Sequence, residues 1–372
     1  MCVMGAGMGA AVLAITTGDV AGIGPEIVVR ALDSAAYPTG AEPLVIGCLP
    51  VLERAARLIG SGRRFRLIDA GEAGSQLRER VSAVLASGET PVCDPCAVGA
   101  AEAPTGRVSA AAGDAAYRSL VSAIDLAQSG LVDAIVTAPL NKESLHLAGH
   151  HYPGHTEILA ERCGVAEYAM MLHLPEPALR PVRALLSGGK LATGEVGSEG
   201  ISIVHVTLHT SVASVPGLLT EEAVAEKIGL MDQFLRSAGN SRRAIGVCAL
   251  NPHGGEHGLF GDEESRVIEP AVRSCHGAMN VSGPHPVDTL VRRAVLGEFD
   301  GLVAMYHDQG HIPIKLIGFD AAVNITLGLP LIRTSPTHGT AFDRAWQAGC
   351  PANAAGMLEA VRMAEKMARR RS

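Results

Sequence analysis

Short β-branched apolar runs alternate along this chain with longer runs rich in Ala, Leu, Glu and Arg, and nothing else in the sequence constrains the fold as much. Strands interleaved with helical crossovers build an α/β fold with a mostly parallel sheet. Residues 12–17, 44–47, 65–69 and 134–137 read as strands, and residues 51–59, 108–129, 221–237 and 354–369 read as helices. Three later runs, 201–208, 244–250 and 301–306, share one form: an apolar strand that ends in a polar segment. The stretch 175–200 is rich in Pro and Gly and weakly patterned, and is expected to be a long loop or a small excursion.

A chain of 372 residues is long enough for two domains of ordinary size. The expected organisation is a flexible leader over 1–11, a first α/β domain from 12–137 and 300–372, and a second from 138–299. Net charge is −7 and aromatics are 3%, which disfavours a nucleic-acid surface, an anionic-membrane surface or a base-stacking platform. The uncharged stretches 1–18 and 201–220 do not make membrane spans. The first lacks a basic flank, and the second carries His205, His209, Pro216 and many hydroxyls. Eight scattered cysteines fit reduced thiols in a cytoplasm. Cys93 and Cys96 form one C-x-x-C without the second pair that a structural zinc site needs.

Glycine-rich Gly5–Ala10 precedes the first strand, so it lacks the context of a dinucleotide loop. Gly18–Glu26 (GDVAGIGPE) has that context, strand then loop then helix, with Pro25 at a first helical position. Its spacing leaves a structural turn and a ligand loop equally open. His146, His150, His151 and His155 form a second group, but Pro153 and Gly154 prevent one helix face from carrying them. Thr156 then reads as a helix cap or an anion contact.

Fourteen histidines need an explanation, and the strand ends supply one. His209, His253 and His307 each follow one of the three late strands, at the edge where open α/β sheets bind ligands. Three neutral imidazoles with vacant positions beside them suit a catalytic metal, although individually hydrogen-bonded histidines fit the sequence as well. Asp308 could orient His307 or move a proton, and Lys142 stands at another strand end. Lys315, Asn324, Arg333, Thr334 and Ser335 place cationic and amide donors in an apolar segment, which suits a phosphate or carboxylate.

GDVAGIGPE, PLNK (139–142), GHTE (154–157), LNPHGGE (250–256), MYHDQG (305–310) and NITLGLPLIRTS (324–335) together resemble the 4-hydroxythreonine-4-phosphate dehydrogenase family. The resemblance runs from about residue 12 to the C-terminal helix. Val20 stands where the family commonly has Pro, and the 175–200 stretch is longer than usual. The resemblance implies a two-domain α/β/α fold like that of isocitrate and isopropylmalate dehydrogenases, with a mostly parallel sheet, a dimerisation subdomain and a homodimer whose active site is shared across the interface. It implies His209, His253 and His307 as ligands of one divalent metal (Zn, Co, Mg or Mn). It also implies His155, Thr156, Lys315, Asn324, Arg333 and, more weakly, Asp288 as substrate contacts. Lys142 and Asp308 are the candidates for the proton acceptor. The expected activity is NAD-dependent (or NADP-dependent) oxidation and decarboxylation of a phosphorylated 3-hydroxy acid. Its substrate is 4-phosphohydroxy-L-threonine, feeding pyridoxal phosphate synthesis, or 4-phospho-D-threonate or 4-phospho-D-erythronate in sugar-acid catabolism. The competing reading is a non-catalytic anion-binding protein on the same fold. The residues that contact the nicotinamide cofactor are not legible.

Overall fold

The structure is a computed structural model that describes residues 10–69, 71, 74–188, 200–349 and 351–371. The leader expected over 1–11 and its glycine run lie almost wholly outside the described residues. The chain divides into two compact units, 1–166 with 329–372, and 167–328. The expected boundaries, after 137 and before 300, fall earlier at both crossings. Residues 138–166 stay with the first unit because their helices pack on its longest helix. Residues 300–328 stay with the second because the strand at 301–304 is bonded between two of its strands.

The first unit runs β1 (Ala11–Thr16), α1 (Gly24–Asp33), β2 (Ala41–Ile46), α2 (Leu49–Ile59), β3 (Phe65–Leu67), α3 (Leu77–Ala86), β4 (Thr90–Cys93), α4 (Ala110–Gln128), β5 (Ala134–Thr137), α5 (Lys142–Leu147) and α6 (His155–Cys163). It is completed after residue 328 by β12 (Arg333–Pro336) and a C-terminal helix, Ala355–Arg371. Its strands lie in the order β3-β4-β2-β1-β5-β12, each pair parallel. β1 is apolar and buried at every position up to Ile15, as a strand covered on both faces must be. One core packs Val12, Leu44, Ile46, Leu120, Ile124 and Ile135, and a second gathers Val20, Ala21, Cys48, Val51, Ala112 and Ala115. Helix starts are set locally. Ser109 Oγ accepts from Ala112 N–H at 3.2 Å ahead of α4, and Asn141 Oδ1 accepts from Ser144 N–H at 2.9 Å ahead of α5.

The second unit runs β6 (Ala169–Pro175), α7 (Glu176–Leu186), β7 (Gly200–His205), α8 (Val215–Leu218), α9 (Glu221–Ser237), β8 (Ile245–Cys248), α10 (Glu269–Cys275), β9 (Val281–His285), α11 (Val287–Val295), β10 (Gly301–Ala304), α12 (His307–Gly318) and β11 (Val323–Leu327). The order is β11-β6-β7-β10-β8-β9, with β6 antiparallel to both neighbours and the other pairs parallel. β7, β10 and β8 therefore end together at one edge.

The expected loop over 175–200 is corrected in its first half, where α7 forms. Pro177 falls in the first turn, where its missing N–H costs nothing. Buried Arg183 pairs with Glu176 and donates through Nε to the Val295 carbonyl at 2.7 Å, so the helix earns its place by tertiary contacts that its composition conceals. Residues 189–199 lie outside the described set.

Asp300 secures the amino ends of the ligand-bearing strands. Its carboxylate accepts from Arg242 Nε at 3.0 Å, Arg242 Nη2 at 2.6 Å and Ala244 N–H at 2.8 Å, and it is 3% exposed. Removing one member of such a pair strands the others in a low-dielectric setting. Asp300→Ala is expected to cost about 3 kcal/mol in urea denaturation. A loss below about 0.5 kcal/mol, the level of an ordinary surface change, would show that the clamp is not structural.

Candidate functional site

In the first unit the loops after β1 and β5 meet where the strand order switches direction, the position at which open α/β sheets bind ligands. Asp19 N–H donates to the Pro139 carbonyl at 2.9 Å, and a Cβ on Gly18 (φ 65°) would stand 2.2 Å from that oxygen, so only glycine fits. The structure resolves the ambiguity of the glycine loop. Ala21 N–H is bonded to Asp19 Oδ1 at 2.9 Å, Gly22 N–H to the Asp19 carbonyl at 3.0 Å, and Ile23 N–H to the Thr340 carbonyl at 3.0 Å. Three donors that could have faced an anion are already used. These bonds favour a structural turn over a ligand loop.

Arg333, at the first residue of β12, is 2% exposed, and donates to Thr137 Oγ1 from Nη2 at 2.7 Å and from Nε at 3.2 Å. Burial lowers its pKa to about 10, so it remains a cation at neutral pH. His155 opens α6. Burial of its ring, and then the Arg333 charge, hold its pKa well below the ordinary imidazole value. Thr156 is not the cap, because Gly154 occupies the N-cap position; the threonine lies in the first helical turn. Lys142 is exposed at the start of α5. The other three histidines of that group are structural. His150 stacks on Tyr117 at 3.7 Å and bonds to Asp114 Oδ1 at 3.1 Å, while His146 bonds to the Tyr152 carbonyl at 3.2 Å and meets His151 edge-on.

In the second unit His209, His253 and His307 follow β7, β8 and β10 by four, five and three residues, at the shared carboxyl edge. The His209 and His307 ring centroids are 6.4 Å apart. Asp308 Oδ1 is 2.7 Å from His307 Nδ1, a contact that orients the ring and leaves Nε2 as the nitrogen to ligate a metal. Among the described residues no three His, Cys, Asp or Glu side chains gather as a metal-binding group within one chain. The donor set nevertheless fits a divalent cation: two exposed imidazoles and a half-buried one already oriented by a carboxylate.

His253 lies in a run, His253–His257, with positive φ throughout (55°, 70°, 76°, 42° and 57°). Buried Glu264 holds the base of that loop, accepting from Leu250 N–H at 2.8 Å and Asn251 N–H at 2.7 Å through Oε1. Gln309 ties two ligand-bearing turns together. Its Oε1 accepts from Met305 N–H and its Nε2 donates to the Ala249 carbonyl, both at 2.8 Å. His253, Asp288, Tyr306, Asp308 and Gln309 line one cleft with Ile312 and Leu316. Asn324 Oδ1 on β11 is buried without a hydrogen-bond partner, as an amide awaiting a ligand would be. Lys315, two turns after His307 on α12, is close enough for its charge to act on His311.

Sequence reasoning missed the buried pair beneath this edge. His311 stacks on His307 at 3.7 Å, with the planes 9° apart, and its Nδ1 is 3.2 Å from His205 Nε2. Burial lowers His311 to about 4 and His205 to about 3. The i,i+4 spacing of His307 and His311 carried the signal, since helical residues four apart share a face. Gln309 and Glu264 left no comparable trace.

Residues 39–364 match the family described as pyridoxal phosphate biosynthetic protein PdxA. D-threonate 4-phosphate dehydrogenase of Salmonella typhimurium is 42% identical over 358 residues, covering 96% of this chain and 98% of that protein. 4-Hydroxythreonine-4-phosphate dehydrogenase of Beijerinckia indica subsp. indica is 42% identical over 333 residues, covering 89% and 88%. Among solved structures, the 4-hydroxythreonine-4-phosphate dehydrogenase of Klebsiella pneumoniae is similar with a TM-score of 0.78 and 39% identity, covering 96% of this chain and 98% of that one.

The depressed pKa of His155 has a signed consequence. The unfolded chain takes up its proton near pH 6.5 and the folded chain does not, so the stability associated with neutral His155 is complete above that pH and falls as the pH drops below it. Between pH 7 and pH 5 the native chain is expected to lose more stability than His155→Gln does. Equal losses in urea titrations at the two pH values would show that His155 is protonated in the folded state.

Proposed function

The chain belongs to the pyridoxal phosphate biosynthetic protein PdxA family, and from that membership we propose that it oxidises and decarboxylates a 4-phosphorylated four-carbon 3-hydroxy acid, with D-threonate 4-phosphate as its substrate. The relatives are dehydrogenases, so a nicotinamide cofactor is implied, and we assign NAD to it. The observation that carries the reading is the pair of strand-end imidazoles, His209 and His307, 6.4 Å apart between ring centroids, with the His307 Nδ1 bonded to Asp308. The D-threonate 4-phosphate dehydrogenases, at up to 42% identity, cover more of this chain than the 4-hydroxythreonine-4-phosphate dehydrogenase of equal identity, and this favours the hydroxy acid over the amino acid. 4-Phosphohydroxy-L-threonine remains the second reading on the strength of that same identity.

His209, His253 and His307 would hold the divalent metal, and a second copy of the chain completes the set in a homodimer. When bound, the metal would supply a fixed positive charge that lowers the pKa of the substrate hydroxyl, and the nicotinamide would supply a hydride acceptor. Asp308 already bonds His307 Nδ1, which suits it to orient that ring better than to accept the hydroxyl proton. Lys142 is then the candidate acceptor. Buried Arg333, neutral His155, Thr156, Lys315 and Asn324 are assigned to the substrate's anionic groups, and the Asp288 carboxylate to its hydroxyl groups. Their contacts lie away from the reacting carbon, so they contribute binding energy that fixes it for hydride loss. Oxidation beside the carboxylated carbon yields a β-keto acid, and its decarboxylation needs no further oxidant.

Turnover of D-threonate 4-phosphate, D-erythronate 4-phosphate and 4-phosphohydroxy-L-threonine, each with NAD and with NADP, tests the reading through NADH or NADPH absorbance. The highest kcat/KM is expected for D-threonate 4-phosphate with NAD, loss to background after chelation, and recovery on adding Zn, Co, Mg or Mn. His253→Ala is expected to be inactive while still eluting as a dimer. Full turnover after exhaustive chelation would overturn the metal assignment.

A further inference from the structure

The two thiols of the C-x-x-C at residues 93–96 have different serine neighbours in the fold. Cys93 ends β4 and its Sγ lies 4.0 Å from Ser122 Oγ, whereas Cys96 has moved beyond the strand and its Sγ lies 3.8 Å from Ser119 Oγ. The thiol that acts on Cys96 electrostatically is instead that of Cys48, 48 positions earlier in the chain. We propose that Cys48 and Cys96 are a dithiol pair that hydrogen peroxide converts to a disulfide, a modification site separate from the dehydrogenase chemistry.

The backbone holds the two residues side by side. β2 and β4 are parallel with Ile46 opposite Cys93, and the pairing extends one step further through Gly47 N–H to the Cys93 carbonyl at 3.0 Å. Asp94 then bridges the diverging chains. Its Oδ2 accepts from Leu49 N–H at 2.9 Å and its Oδ1 from Cys96 N–H at 3.0 Å, which places a bond to the residue after Cys48 and a bond to Cys96 on one carboxylate. Paired strands lie about 4.8 Å apart, inside the Cα range that a disulfide spans, and the shared Asp94 carboxylate limits how far the two exits diverge.

The two sulfurs differ in role. Cys48 occupies the N-cap of α2, an eleven-residue helix whose amino end favours negative charge, and it has Arg54 nearby on that helix. The neighbouring Cys96 thiol holds the Cys48 thiol below its ordinary pKa against burial and the Asp94 charge, with the Val51 N–H and Arg54 adding to the lowering. Cys48 is 4% exposed, and Cys96 is more open. The Cys48 thiolate attacks one peroxide oxygen, breaking the O–O bond and giving a sulfenic acid and hydroxide. The hydroxide takes the Cys96 proton as water. The Cys96 thiolate then attacks the Cys48 sulfur and expels the sulfenic oxygen as a second hydroxide. Two thiols lose two electrons and one peroxide gains them.

Peptide mass mapping of the full-length protein treated with a small excess of hydrogen peroxide tests the proposal. The expected product is a cross-link between the Cys48 and Cys96 peptides, lighter than their sum by two hydrogens and reversed by dithiothreitol. Thiol titration should fall by two of the eight cysteines. Cys93→Ser is expected to keep the cross-link, and Cys48→Ser and Cys96→Ser are expected to lose it. A Cys93–Cys96 cross-link in the parent protein would overturn the proposal. So would Cys96 carried to sulfinic acid with Cys48 still reduced, or no cross-link under conditions that oxidise the urea-unfolded chain. These outcomes are read on the parent protein, so the proposal stays testable if a serine variant fails to fold.

Discussion

A strand pairing parallel to its neighbour must be reached by a crossover, so parallel strands deliver their carboxyl ends to one edge of the sheet. The candidate chemistry of this chain rests on that constraint. In the second unit β7, β10 and β8 are parallel, and their exits carry His209, His307 and His253. In the first, parallel β1 and β5 bring the Gly18 turn and the 139–142 segment together. Residues a hundred positions apart become neighbours without any local motif.

Polar side chains then convert an edge into an arrangement. Gln309 joins the β10 and β8 exits through two backbone groups, Glu264 holds the loop that carries His253, and Asp308 sets the His307 ring. Each spends its hydrogen bonds on backbone or on a ligand-type ring, and an unsatisfied buried polar group would be costly. Beneath them Gly310 lets α12 approach β7 so closely that a Cβ there would lie 2.3 Å from His205 Nε2. The His205–His311 pair fits in that narrow space.

Much of this was legible in the residues. The alternation of apolar and helical runs predicted the α/β class, and strands at 134–137 and helices at 221–237 appear with those bounds. The three histidines could be picked out because strand ends can be read from a switch between apolar and polar residues. The resemblance carried by MYHDQG and LNPHGGE agreed with that choice, and the family membership follows from the match over residues 39–364. What stayed hidden depends on tertiary contacts. α7 looked like a loop because its prolines dominate the local pattern, while its support comes from Arg183 reaching Glu176 and Val295. The antiparallel pair β6 and β11 arises from partners 150 residues apart. The glycine loop left two readings open because spacing cannot tell whether N–H groups face a ligand or a carbonyl.

The left-handed turn over His253–His257 narrows what evolution or a designer can write there. Three of its five residues are not glycine, and L-amino acids pay for that conformation, with asparagine and aspartate the cheapest after glycine. Valine, isoleucine and threonine are shut out by their branched β-carbons, whatever the chemistry around them. The repertoire available to this turn is therefore set by backbone handedness before it is set by catalysis, and re-engineered variants of the site have to be drawn from that short alphabet.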